Sequence, residues 1–571
     1  MNNWEIAKVF DEIADLLDIL GENPYKSRAY RRAAHKIGNA YLDVEQLSRE
    51  GRLLEIPGIG SALEKKVEEL INTGELDYLI QLRKKAPASL RRLLLIPGIG
   101  IKTLQLIYQR LGITDLEGLE AAAREKRLRR LPGIGVKTEQ AILHGLQNHA
   151  FLRRRMLLHH AFAFAGEIED YLKNKAAGPA AIQAAGSLRR GKETVGDLDF
   201  VAAADNPAPL AQAFKEAPFV KEVVAAGEAK VTIMTKWGFQ ADLLIVQPQL
   251  FASALQHFTG SKEHNVALRR IARERGFKVS EHGIGSADQT TAPSTEEELY
   301  RQLGMAYIPP ELREDRGEIE AAQSGALPDL LEAAEIKGDL HIHSEWSDGA
   351  NTLQELAAAA QERGYQYLAV TDHSRSLHIA RGLTEERVRQ QREEIDRLNE
   401  GFTNFRLLAG IEVDILPDGS LDFDDQLLAE MDIVIASVHS GFKQDEKTLT
   451  KRVVNALRNR HVDIIGHPTG RLLGRREPYA IDVGLLLEVA AETDTALEVN
   501  ASPDRLDLND EYIRQGRELG VRFAVNTDSH DLHYLDDVFY GVLQARRGWA
   551  EREDIVNTLP LNELDDWLSD R

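Results

Sequence analysis

Apolar positions recur at helical spacing through the first quarter of the chain. Leu63, Val67 and Leu70 make one run, Leu104, Ile107 and Leu111 a second, and Ile142 with Leu146 a third. β-Branched runs are scarce over residues 1–150, which predicts helices there. The pattern changes to short strands at 198–202, 231–234 and 241–246. Residues 250–315 mix both patterns, with a helix predicted over 265–275. The stretch 316–336 is helix-like but broken by Gly325 and Pro328, and reads as a linker. Beyond it, apolar strands at 367–371, 405–413, 433–438, 462–465, 496–499 and 523–526 alternate with longer helical stretches. That alternation predicts parallel strands with crossover helices, hence a barrel or a doubly wound sheet.

One phrase precedes each of the three helical runs: Ile56-Pro-Gly-Ile-Gly60, Ile96-Pro-Gly-Ile-Gly100 and Leu131-Pro-Gly-Ile-Gly135. Pro and two Gly make a tight turn, and the helix behind it presents unpaired backbone N–H groups. Such a turn can grip a phosphate oxygen without reading a base. A single copy reads equally as an ordinary helix-to-helix turn. Three copies look like helix-hairpin-helix elements, which hold the DNA backbone, and make Gly58, Gly60, Gly98, Gly100, Gly133 and Gly135 candidate DNA-contact positions.

With 571 residues the chain has room for three or four domains. It has no apolar run long enough to span a bilayer and its start is not a signal peptide, so a cytoplasmic protein without a membrane partner is expected. The absence of cysteine excludes disulfides and thiolate-bound zinc, leaving His, Asp and Glu to hold any metal. A net charge of −21 argues against a DNA binder until its distribution is considered. Residues 1–150 hold 23 Lys and Arg against 20 Asp and Glu, so the acidic excess lies downstream.

Two clusters carry chemistry. In the first, Gly186-Ser-Leu-Arg-Arg-Gly191 precedes Gly196-Asp-Leu-Asp-Phe200. Asp197 and Asp199 are two apart on a strand and point to one face. Asp242, in a neighbouring strand-like run, supplies a third carboxylate. Three converging carboxylates can hold two divalent ions; alone, the pair reads more readily as surface acids of an edge strand. In the second cluster, Asp339-Leu-His341-Ile-His343 places two imidazoles on one side of a strand, with Leu340 and Ile342 on the other. Asp348, His373, Glu412, His439, His467, Asp528 and His530 then follow other strand-like runs. In a barrel those loops share one face, where barrel enzymes keep their sites. Arg471, Arg475, Arg476 and Arg505 also follow strand ends and could steer phosphate, or form surface ion pairs.

The first cluster, with Gly227-Glu-Ala-Lys230 and Phe258-Thr-Gly-Ser-Lys-Glu-His-Asn265, resembles the nucleotidyltransferase core of family X DNA polymerases, the group of polymerase beta. The resemblance implies that Asp197, Asp199 and Asp242 bind Mg²⁺ or Mn²⁺ and that Gly186, Ser187, Arg190 and Gly196 cradle a dNTP triphosphate. It further places Phe258 and Gly260 along the sugar and base, and Asn265 at the base edge. Two positions depart from polymerase beta: His257 replaces Tyr beside the sugar, and Gln240 replaces Arg before the third aspartate. Residues 24–80 look like the small helical domain of that protein, with Lys66 in the register of its Schiff-base lysine.

The second cluster resembles the polymerase and histidinol phosphatase (PHP) domain. By the family pattern one metal takes His341, His343, Glu412 and Asp528; a second shares Glu412 with His439 and His467; a third uses Asp348, His373 and His530. Mixed His/carboxylate ligation favours Zn²⁺ or Mn²⁺, up to three ions. The order of the two resemblances matches bacterial family X polymerases with a C-terminal PHP domain. It implies a multidomain chain: helix-hairpin-helix domains at 1–85 and 86–150, an α+β palm at 151–248, a thumb-like subdomain at 249–316, the linker at 317–336 and a distorted (β/α)7 barrel at 337–571. The implied function is short-gap filling on gapped or primed DNA, with 3′-end or abasic-site processing in the barrel, by a monomer. Two alternatives are a barrel that hydrolyses a small phosphate, and a DNA-binding scaffold whose catalysis has decayed.

Overall fold

The amphipathic repeats near the N-terminus fold as helices. In this computed structural model all residues are described except 1–2, 39–43, 57–58, 75, 87–89, 91–92, 94–95, 97–98, 137, 141, 144–145, 147–154, 176–180, 286–289 and 570–571. The chain divides into two units, Met1–Arg153 with Gly474–Arg476, and Arg154–Leu473 with Glu477–Arg571. Among the described residues no helix is long and apolar enough to cross a membrane.

The first unit contains α1 (Asn3–Leu20), α2 (Pro24–Gly38), α3 (Val44–Glu50), α4 (Ser61–Thr73), α5 (Asp77–Lys85), α6 (Ile101–Leu111) and α7 (Leu116–Arg124). Ile6, Phe10, Ile13 and Leu17 line one face of α1 and are fully buried, in one core with Ala33 and Ile37 of α2. The described residues of the three Pro-Gly phrases share one hydrogen bond. In each, the Ile between the glycines donates its N–H to the first residue of the phrase (Ile59 to Ile56, Ile99 to Ile96, Ile134 to Leu131). Each of those Ile side chains is 5% exposed, while Gly60, Gly100 and Gly135 lie open beside them. The repeat thus buries one side chain to hold one stretch of backbone at the surface. Gly58 and Gly98 lie outside the described residues.

The second unit opens with α8 (Leu158–Lys175) against a five-stranded sheet. Its strands are β1 (Ile182–Ala184), β2 (Leu198–Ala203), β3 (Val220–Ala226), β4 (Lys230–Thr235) and β5 (Gln240–Val246), in the order β1-β2-β5-β4-β3. Only β2 and β5 are parallel neighbours. Along β5, Ala241, Leu243 and Ile245 are buried and the intervening residues are half-buried. Between β1 and β2 lies the short helix α9 (Gly186–Arg189). After the sheet come α10 (Phe251–Thr259), α11 (Lys262–Glu274) and a small antiparallel sheet of Lys278–Ser280, Gly283–Gly285 and Thr290–Thr291. The stretch 317–336 is tied in: Glu318 is fully buried with its carboxylate 2.6 Å from His264 Nδ1, and Arg316 reaches Asp510 and Glu511 of the following region.

From residue 338 seven parallel strands follow one another in sequence order: β6 (Gly338–Ile342), β7 (Tyr367–Val370), β8 (Arg406–Asp414), β9 (Ile433–Ser437), β10 (Ile464–Ile465), β11 (Ala496–Asn500) and β12 (Phe523–Asn526). A parallel bridge between Ile342 and Ser529 brings the first strand back to the last. The barrel, not the doubly wound sheet, is therefore the arrangement that the alternation encodes. α12 (Val538–Arg547) follows the last strand.

One expectation fails in detail. The register of β6 against β7 shifts between Asp339 and Ile342, so Leu340 and Ile342 do not share a face. They enter different hydrophobic clusters. The irregularity turns the strand end, as a bulge does, and leaves the His341 and His343 rings 5.2 Å apart.

Candidate active sites

The first site sits where β2 and β5 run side by side. Their register sets Asp199 directly opposite Asp242, and Asp197 immediately precedes β2. Burial, then Asp197 and Asp242, push the Asp199 carboxyl up to about 7. Such mutual repulsion is what a cation between the three would relieve. Asp242 is partly balanced by Lys230 at 3.3 Å and by Gln240, whose amide donates to it at 3.3 Å. Thus Gln240 touches the third aspartate with a neutral group.

Gly186 explains the close approach of α9 to this site. Its φ is +59°, and a Cβ there would lie 2.2 Å from Asp199 Oδ2. Ser187 is half-buried on α9. Arg190 is engaged within the protein: Nε donates to Glu314 at 3.0 Å and Nη1 to the Thr259 carbonyl at 2.7 Å. Arg189 bridges to Thr259 and to Glu296, which also receives the buried Arg313. Gly196 is half-buried before Asp197. Phe258 packs on the cluster of Ala185, Val201 and Leu255. At Gly260 a Cβ would meet Asn265 Oδ1 at 2.9 Å. Asn265 is buried with both ends of its amide occupied, donating to the His257 carbonyl and accepting from Gln256. In this state it caps α10 instead of facing a base. In the first unit, Lys66 and Lys26 both place their ammonium groups on the Tyr78 ring, at 4.9 and 4.4 Å from its centre.

The second site lies at the C-terminal ends of the barrel strands. Its donors converge in three groups within 4.8 Å: His343, Asp348, His373 and His530; His341, His343 and Asp528; and His373, Glu412 and His439. His467 joins through Nε2, 3.2 Å from Glu412 Oε1. All nine predicted residues are thus brought together, although His343 and His373 each bridge two groups. Among the described residues, every such group is in the barrel.

The donor set fits metal ions. His341 Nε2, His343 Nδ1, His373 Nδ1, His467 Nδ1 and Glu412 Oε2 are buried without a hydrogen-bond partner. Each such atom costs about 1–3 kcal/mol if left unmet. His373 Nδ1 and Glu412 Oε2 lie 2.6 Å apart yet are not aligned for a hydrogen bond, as expected of two donors facing a common cation. Burial alone would raise the Glu412 carboxyl, but His439, His373 and His341 hold it well below the usual carboxylate range. His467 and Asp528 hold positive φ values, +28° and +54°, a strained backbone that clusters at functional sites.

The groups behind these donors are not among the predicted site residues. Glu498 is fully buried beneath them. One of its oxygens lies 2.6 Å from His341 Nδ1, and the other accepts the His467 N–H and the Asn500 amide. Asp414 lies 2.7 Å from His439 Nδ1. Such carboxylates fix the imidazole so that Nε2 faces the metal. Asp372 receives Ser344, Ser347 and Gln391 and so holds the turn that presents Asp348. The signal for Asp414 was available: it is two residues beyond Glu412 on β8. Arg471 is largely buried and donates to Glu193 and to the carbonyls of Arg505 and Leu506, so it braces a loop.

A catalytic-type aspartate triad and a separate cluster of imidazole and carboxylate donors, on one chain with helix-hairpin-helix repeats, define a class: metal-dependent enzymes that act on DNA by two reactions. Family profiles agree along the chain. A helix-hairpin-helix domain matches residues 1–76, a SAM-like helix-hairpin-helix tandem 90–148, a DNA polymerase beta thumb 254–314 and a PHP domain 339–502. The DNA polymerase/3′-5′ exonuclease PolX of Bacillus subtilis (strain 168) is 43% identical over 573 residues, covering 100% of this chain and 99% of that protein. DNA polymerase lambda of Rattus norvegicus is 25% identical over 55% of the chain and 56% of its own length. A probable phosphatase of Thermoanaerobacter sp. (strain X514) is 29% identical over 41% of the chain and 94% of its own length. The chain belongs to the PolX family, the family X DNA polymerases that carry a PHP domain.

Proposed function

We propose that this enzyme fills short gaps in DNA by templated synthesis at the aspartate triad and trims 3′ ends, or opens abasic sites, in the barrel. The observation that carries the reading is that two centres of different donor chemistry, Asp199 opposite Asp242 and the nine-residue barrel cluster, occur on one chain. Mg²⁺ or Mn²⁺ suits the all-carboxylate site, and up to three Zn²⁺ or Mn²⁺ suit the barrel. Bound there, divalent ions neutralise phosphate charge and lower the pKa of a coordinated hydroxyl or water. The protein groups do the positioning. Asp197, Asp199 and Asp242 hold the ions of synthesis. Ser187 and Arg190 receive the triphosphate, and the Phe258–Gly260 segment flanks the sugar. In the barrel Glu498 and Asp414 orient His341 and His439. Gly60, Gly100, Gly133 and Gly135 present backbone to gapped DNA, and the enzyme works as a monomer.

The test follows a 5′-labelled primer at a one-nucleotide gap in Mn²⁺. Extension with dNTPs and shortening without them are both expected. Asp197→Ala with Asp199→Ala abolishes extension and spares shortening; Glu412→Gln does the reverse. Loss of both reactions in either variant would falsify the division of labour. The likeness of the barrel to a probable phosphatase along most of that protein's length favours one second reading, a tethered small-phosphate hydrolase. Under that reading pyrophosphate or a sugar phosphate turns over faster than the primer end, and the primer never shortens.

A further inference from the structure

The palm turn that carries Ser187 and Arg190 is gripped from behind by the barrel. Gly191, at φ +65°, has no room for a side chain because Leu543 of α12 would lie 2.5 Å from its Cβ. Two residues on, Glu193 accepts Arg471 at 2.7 Å. The centre of the grip is Arg547, the last residue of α12, which is 3% exposed. Its Nη1 donates to the Arg190 carbonyl at 2.7 Å and to Glu314 Oε1 at 3.1 Å, and its Nη2 to Asp510 at 2.6 Å. Glu314 Oε1 is the same atom that receives Arg190 Nε at 3.0 Å, and Lys192 Nζ lies 3.5 Å away. One carboxylate is therefore shared among the palm arginine, a palm lysine and a barrel arginine. Burial opposes ionisation of Glu314, but Arg547, Arg190 and Lys192 outweigh it and keep its carboxyl below the ordinary value.

We propose that Arg547 is a positioning residue for synthesis: by holding the Glu314 carboxylate and the Arg190 carbonyl, the barrel sets how readily Arg190 is released to an incoming triphosphate. The proposal rests on the reading of Arg190 as a triphosphate contact. In the nucleotide-free state Glu314 competes with the triphosphate for Arg190. Releasing Arg190 leaves Glu314 with Arg547 and Lys192, so the buried carboxylate is never stranded. Without Arg547, releasing Arg190 leaves the carboxylate only the longer contact with Lys192, at 3.5 Å, and the exchange becomes costly.

The measurement is single-turnover gap filling by the full-length enzyme, separating dNTP Kd from the maximal rate. Arg547→Met weakens dNTP binding about tenfold, the coupling expected within one buried network, with the maximal rate changed less than about twofold. Glu314→Gln, isosteric and uncharged, acts in the opposite direction and tightens dNTP binding. The double variant lies between the two. A purely structural contact predicts that both single variants weaken binding, with losses that add, and that pattern overturns the proposal. Should Arg547→Met lose primer shortening as well, the barrel has been disturbed, and the sign of the Glu314→Gln effect then decides alone. Arg190→Ala separates the two levels. If it leaves dNTP affinity unchanged, the triphosphate reading fails. If it weakens affinity while Glu314→Gln does not tighten it, the coupling fails and that reading stands.

Discussion

At Gly186 the backbone has φ +59° and the absent side chain leaves space for an Asp199 oxygen. Gly186→Ala forces one of them to move. Extension is expected to fall about 100-fold, as for an ångström-scale misplacement of reacting groups, while primer shortening persists. The sequence marked Gly186 only as part of a motif; the clash that requires it is a relation between α9 and β2, which no local pattern carries. The same holds in the barrel. His341 was legible in its His-x-His pair and Asp528 as a polar residue after an apolar run, but Glu498 lies in β11 and reaches His341 across the sheet. Glu498→Gln should lower metal affinity of the barrel about 10–100-fold, read by competition with a chelating dye, and leave dNTP binding unchanged. Asp537 gives a pH test. Burial, then Asp536 and Asp504, push its carboxyl up to about 8 in the folded protein. A carboxyl raised on folding costs stability as pH rises from its unfolded value, about 4, through about 8. Asp537→Asn should therefore raise the unfolding midpoint at about pH 8.5, by about 2–4 °C per kcal/mol relieved, and scarcely alter it near pH 4.

Elements with a strong period were readable, and weak ones were not. The helical repeats, β2, β4, β5 and most barrel strands lie close to where apolar spacing put them. β3 escaped because, as an edge strand, six of its seven residues are exposed and it shows no alternation. β1 is three residues long, too short to show an alternation. Periodicity likewise could not separate a barrel from a doubly wound sheet, since both bury parallel strands on two faces. The helix-hairpin-helix turns permit a clean experiment on one kind of element. Gly60 and Gly100 have extended φ values of −92° and −87°, and a Cβ at either meets nothing within 4 Å. Replacing both with Ala should leave stability within about 0.5 kcal/mol of wild type. A fall in affinity for gapped DNA, measured by fluorescence anisotropy, then reports backbone approach to phosphate. Unchanged affinity would remove these turns from the DNA interface.

For the whole molecule, the two centres differ in donor chemistry and should part company when metals are withdrawn. Chelation is expected to stop both reactions. Mg²⁺ then restores extension, and shortening recovers with Mn²⁺ or Zn²⁺, because imidazole donors disfavour Mg²⁺. Equal recovery of both reactions in Mg²⁺ contradicts the assignment of the barrel ions. The barrel centre has one more consequence, through the chain order of its parts. His341 and His343 belong to the first barrel strand, while Asp528 and His530 follow the last. On the proposed division of labour, a ribosome therefore completes the three aspartates of synthesis long before it delivers the last donors of hydrolysis. A chain cut short anywhere before residue 528, by premature termination or by a protease, lacks part of the hydrolytic centre. On the proposed assignment, the hydrolytic activity is therefore the last to be completed in each molecule.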